Sequence, residues 1–141
     1  RSMPRWSVRD RDVFVCENAN LLAIAADQLG ASCAPSICTD GMPSASERTL
    51  LRQLAEQGAR LRYHGDFDWP GIRIANYVMR SFGACAWRFD AAHYQSHGGR
   101  PLRGTPVEAT WDTSLMAAML AGGHALDEEA VSSLLLGDLD L

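Results

Sequence analysis

Asp66 and Asp68 stand one residue apart in the stretch "HGDFDWPG" at 64–71, and in extended backbone such a pair projects to one side. Two carboxylates held that close repel each other unless hydrogen bonds or a cation compensate. The pair has two readings. It caps the helix that Pro70 opens, since Asp is a leading cap residue, or it holds a divalent ion, and the aspartates alone fit both. A third carboxylate, Glu17, follows the apolar run "DVFVC" at 12–16. Three hard oxygens, with water in the remaining positions, are what Mg²⁺ typically accepts. Such a site activates a nucleophile and stabilises the leaving oxygen of a phosphoryl transfer. By the plainer reading, Glu17 caps the helix that follows it.

The elements that must position these residues alternate regularly. "DVFVCEN" (12–18) reads as a buried parallel strand, and "ANLLAIAADQLG" (19–30) as a helix with Gly30 as its stop. "APSICTDG" (34–41) is a second strand ended by an Asp-Gly turn. "SASERTLLRQLAEQG" (44–58) is a second helix opened by a Ser44/Glu47 capping box. "ARLRYHGD" gives a third strand, "PGIRIANYVMRSFG" a third helix with proline in its first turn, and "ACAWRFD" (84–90) a fourth strand. This β-α-β-α-β-α-β order predicts an α/β fold: a four-stranded, mainly parallel sheet flanked by helices. After Asp90 the pattern changes to a Gly/Pro-rich loop and two short helices, "TSLMAAMLAGG" and "DEEAVSSLLLGDL". Residues 1–10 read as linker or expression remainder, 11–92 as the α/β core, and 93–141 as a C-terminal helical tail packed on it. The start without methionine is expected of a domain cut from a longer protein.

In an open parallel sheet, ligands bind beyond the carboxyl ends of the strands. Glu17, Asp40, Asp66, Asp68 and Asp90 all fall there, an acidic crowding that stability alone does not favour. Composition narrows what such a site serves. The chain has 141 residues, 47% hydrophobic and 21% charged, enough for one soluble domain with a real core. No apolar run approaches a membrane span and no signal pattern opens the chain, so a cytoplasmic protein without a membrane partner is expected. The net charge of −4 gives poor footing for holding nucleic acid unaided. All 13 basic residues are arginines, a bias assigned to gene composition, since arginine is not confined to bidentate phosphate sites. Cys16, Cys33, Cys38 and Cys85 form no CxxC pair and read as buried free thiols.

A glutamate after strand one and an Asp-x-Asp after strand three, inside four parallel strands, resemble the Toprim fold of topoisomerases, primases and related nucleases. "GDFDWPGIRIA" is similar to the Asp-x-Asp-Pro-x-Gly segment of the type VI topoisomerase A subunit and its meiotic double-strand-break relative. "VFVCEN", "PSICTDGMPSASERTLLRQL", the DxD segment and "LDEEAVSSLLLGDL" together resemble the C-terminal domain of the nuclease subunit of the bacterial Wadjet anti-plasmid system, over nearly the whole chain. The resemblance implies a Toprim-like Rossmannoid domain that cleaves DNA with Mg²⁺ or Mn²⁺. It makes Asp66 and Asp68 the metal ligands and Glu17 a general acid/base or metal-organising carboxylate. The expected partners are DNA, SMC-type defence subunits, a missing N-terminal domain of the same chain and a second copy in a homodimer. The related topoisomerases attack with a tyrosine from a separate winged-helix domain that this chain does not contain. Tyr63, Tyr77 and Tyr94 match no nucleophile position, so water is the expected nucleophile. DNA gripping then falls to other domains or subunits, with Arg73, Arg100 and Arg103 as local phosphate contacts and Arg73 as the expected substrate-binding residue.

Two rivals stand beside this reading. One is a Toprim-like protein-interaction module whose carboxylates are caps; the other is a sugar-nucleotide transferase whose DxD holds a metal-diphosphate, though no nucleoside pocket is legible near strand one. The remaining candidates read more plainly. His93 and His97 lack a third ligand for zinc, His64 reads as a strand-packed or solvated histidine, and Trp69 and Trp111 read as packing residues.

Overall fold

A computed structural model describes residues 7–95 and 99–141. Four parallel strands form one sheet in the order β2-β1-β3-β4, where β1 is Asp12–Cys16, β2 Ser36–Cys38, β3 Arg60–His64 and β4 Cys85–Ala86. The helices are α1 (Ala19–Leu29), α2 (Ala45–Glu56), α3 (Trp69–Phe82), α4 (Leu115–Gly122) and α5 (Ser132–Leu139), with a 3₁₀ turn at Glu128–Val131 leading into α5. This is the expected α/β architecture with its C-terminal helices, and all four strands are parallel.

Alternation along β1 sends Val13 and Val15 to one face and Phe14 and Cys16 to the other. The first face packs with Leu61 and Tyr63 of β3 against Leu51 and Leu54 of α2, Ile72, Ala75 and Val78 of α3, and Leu115 and Met119 of α4. The second receives Leu21 and Ala25 of α1 and Leu135 and Leu139 of α5, with Trp87 beside them. Fully burying an aliphatic side chain of this size is worth about 1.5–3 kcal/mol, so the helix faces fix the layers. Val8 belongs to the first core, and the Asp10 N–H donates to the Gly58 carbonyl at 2.9 Å, so the chain is packed before β1 begins.

Helix boundaries follow local chemistry. The Ser44/Glu47 capping box forms in full at the start of α2. Asp68 caps α3 ahead of Pro70, and Gly83 ends that helix in the left-handed conformation at φ 68°. The fourth strand departs from expectation. It spans two residues rather than 84–90: Trp87 still donates its backbone N–H to the Tyr63 carbonyl at 2.7 Å, but Arg88 then turns the backbone to φ 48°, out of the extended region, while the Trp87 indole donates to Asp138 at 2.7 Å. All four cysteines are free; only Cys16 is buried, whereas Cys33 and Cys38 are half-buried and Cys85 is exposed. Among the described residues, no helix is long and apolar enough to cross a membrane.

Candidate metal centre

Register sets the site's floor. Cys16 of β1 pairs with both Cys38 of β2 and His64 of β3, so the residues that follow, Glu17 and Gly65-Asp66, emerge side by side at the carboxyl ends of the two central strands. The Glu17 Oε1 accepts the Asp66 backbone N–H at 3.1 Å. Gly65 makes that approach possible, since a Cβ there would lie 2.8 Å from the Glu17 Oε1 and 3.2 Å from the Tyr63 hydroxyl. Asn18, rather than Glu17, caps α1 through its side chain.

Asp68 caps α3 with one oxygen, its Oδ1 accepting the Gly71 N–H at 2.7 Å. The other oxygen, Oδ2, receives the Arg100 guanidinium at 2.8 Å, and the same Arg100 nitrogen reaches Asp127 Oδ1 at 2.6 Å. Asp66 caps nothing in α3; its Oδ1 accepts the Glu128 N–H at 2.7 Å. Asp66, Asp68 and Asp127 each bring a carboxylate oxygen into one group, all within 4.8 Å of one another, a spacing able to hold a metal ion. Glu17 stands beside this group, tied to it through the Asp66 main chain. A cleft of about 260 Å³ opens next to it, lined by Glu17, Asn18, Asp40, Gly41 and Asp66.

The electrostatics follow from burial and crowding. Burial first, then the charges of Asp66, Asp68 and Glu128, push Glu17 up to about 7, although the Asp66 N–H pulls the other way. Burial likewise lifts Asp66 to about 6, with Asp68, Asp127 and Glu128 adding to it against the Glu128 N–H. Carboxylates that resist ionisation are a set to which a cation would be welcome. The donors are all hard oxygens, the chemistry Mg²⁺ or Mn²⁺ prefers over zinc.

The other candidates resolve plainly. Arg73 is exposed in the first turns of α3. Arg100, named among the phosphate contacts, instead neutralises two acidic residues. His64 is buried and bonds Glu128 at 2.9 Å. Trp69 is core, and Trp111 stacks on Phe89 with ring centroids 5.4 Å apart. His93 pairs with Asp90 at 2.6 Å, and His97 lies outside the described residues. Asp127 and Glu128 were not anticipated as site residues. They open an acidic helix start, where carboxylates are ordinary, and only the resemblance of "LDEEAVSSLLLGDL" set that segment apart.

A family model described as the C-terminus of a protein of unknown function (DUF2399) matches residues 1–139. No curated protein matches the chain.

Proposed function

The chain belongs to the DUF2399 C-terminal family, whose function is unknown, and from its own residues we propose that it is the Mg²⁺-dependent catalytic domain of a DNA-cleaving protein. The observation that carries this is the convergence of Asp66, Asp68 and Asp127, with Glu17 at 3.1 Å from the Asp66 amide, at the carboxyl ends of parallel strands. The Toprim-like resemblance supports it, since Glu17 and the DxD pair occupy the strand ends that the resemblance assigns them. On this reading Asp66 and Asp68 hold the cation, with Asp127 as a further ligand. The metal supplies charge neutralisation for the phosphodiester and its leaving oxygen.

The chain's own groups do the rest. Without the ion, burial and the neighbouring acids raise Glu17 to about 7, and its place beside the ligands suits a residue that takes a proton from water and returns one. Water attacks phosphorus, the bond to one deoxyribose oxygen breaks, and that oxygen leaves with a proton. The negative chain leaves DNA gripping to other parts of the assembly; SMC-type defence subunits, the N-terminal remainder of the protein and a second copy are the partners this reading carries.

The test is nicking of supercoiled plasmid by the full-length protein with its partners, with and without Mg²⁺. Asp66→Ala and Glu17→Ala should each lower the rate at least about 100-fold. Unchanged cleavage in both variants would end the proposal.

One observation favours a second reading. Asp68 is a true helix cap and Arg100 already neutralises it, as in an interaction module without catalysis. That module predicts no stabilisation by Mg²⁺, whereas a ligand of the folded state raises the melting temperature by mass action.

A further inference from the structure

Glu128 is a fully buried carboxylate in the C-terminal segment. Taking such a group out of water costs several kcal/mol unless hydrogen bonds offset it, and an apolar residue would fill the space at less cost. Its bonds run to the site. Oε1 accepts the Asn18 N–H at 2.7 Å; Oε2 accepts from the His64 Nδ1 at 2.9 Å and from the Glu17 N–H at 3.4 Å. Its backbone N–H donates to Asp66 Oδ1. One residue therefore holds the end of β1, the end of β3 and a candidate metal ligand. His64 is fixed in turn, its ring set among Phe67, Trp87 and Phe89 at centroid distances of 5.1–6.0 Å. The neighbouring Leu126 exchanges backbone hydrogen bonds with Phe67, which pins the segment between Asp66 and Asp68.

We propose that Glu128, backed by His64, is a positioning residue of the carboxylate site: it sets the separation between Glu17 and Asp66 through the Glu17 main chain and the Asp66 carboxylate, without touching metal or substrate. The proposal rests on the metal reading above. Outer partners of this kind typically alter metal affinity 10- to 100-fold.

Mn²⁺ binding to the full chain, counted by electron paramagnetic resonance, tests it. Glu128→Gln keeps the shape and one acceptor oxygen, and should weaken Mn²⁺ binding at least about 10-fold. His64→Phe keeps the aromatic packing and removes the donor, and should weaken it about threefold or more. Asp138→Asn is the control, because Asp138 clamps the same C-terminal segment through bonds to Trp87 and Arg88 rather than to Glu17, Asp66 or Glu128. It should lower the melting temperature and leave Mn²⁺ affinity unchanged. The proposal is overturned if Glu128→Gln binds Mn²⁺ like wild type. Should Glu128→Gln not fold, wild-type affinity in His64→Phe overturns it equally. Loss of affinity in Asp138→Asn matching that in the Glu128 or His64 variants would show a purely structural role. Wild type that binds no Mn²⁺ removes the metal reading itself, and this inference with it.

Discussion

Glu17 and Asp66 are tied together by a hydrogen bond, and burial first and crowded acids second make both hard to ionise. Their folded values, about 7 and about 6, lie above those of unfolded carboxyls, which are about 4.3 and 3.9. The folded protein thus binds more protons than the unfolded chain across this window, so stability falls as pH rises. The contribution is fully present below the unfolded values and is lost as pH climbs through about 6 and about 7. Without metal, the melting temperature should therefore drop between about pH 5 and pH 8. Glu17→Gln and Asp66→Asn should flatten that slope, and an equally steep profile in both would contradict the assignment. Arg100 belongs at the same scale. It stands between Asp68 and Asp127 where a cation would compete with it, half-exposed. Arg100→Gln should leave the acids uncompensated and tighten Mn²⁺ binding by roughly 3- to 10-fold, measured by titration calorimetry. Looser binding would mean that the arginine organises the ligands rather than opposing the ion.

At the scale of elements, the site depends on how α3 and α5 are attached. The start of α3 leaves no space at Gly71, where a Cβ would sit 2.1 Å from the Asp66 carbonyl oxygen and 2.8 Å from Asp68 Oδ1. Gly71→Ala should cost about 3 kcal/mol or more, because backbone rather than a flexible side chain must yield. A urea midpoint like that of wild type would refute this close packing. The attachment of α5 is electrostatic at its rim: Asp138 accepts from the Trp87 indole and from Arg88 at 2.6 and 3.0 Å. Much of the fold was legible because helix periodicity, the Ser44 box, Pro70 and the closing glycines are local signals. The fourth strand was not, since Arg88, by type an ordinary residue, turns to φ 48° while its guanidinium bonds Asp138, 50 residues ahead. The site divides the same way. Glu17, Asp66 and Asp68 could be read as strand-end residues, but Asp127 and Glu128 arrive from a helix start whose acids look like ordinary dipole partners. What makes Glu128 different is burial and its bonds to Asn18 and His64, separated from it by 110 and 64 residues.

For the whole molecule, the site is where two stretches of chain meet. Glu17, Asp66 and Asp68 come from the α/β core, whereas Arg100, Asp127 and Glu128 come from the segment that follows it. A cation bridging Asp66, Asp68 and Asp127 would therefore join the core to the C-terminal segment as well as neutralise a crowd of acids. Net charge points the same way. A chain at −4 gains by drawing in a divalent ion before any polyanion approaches. Binding at 100 times the dissociation constant adds about 2.7 kcal/mol to stability, which for a chain of 141 residues is a rise of about 8–10 °C in melting temperature. Because the ion would hold both stretches, amide hydrogen exchange should slow together at residues 64–68 and 125–131 on adding Mg²⁺. Asp127→Asn should lose the protection in the second stretch first. Protection confined to 64–68 would mean that Asp127 only balances Arg100. No thermal shift and no protection anywhere would leave the carboxylates as caps and counter-ions, and the molecule as a docking platform rather than a catalyst.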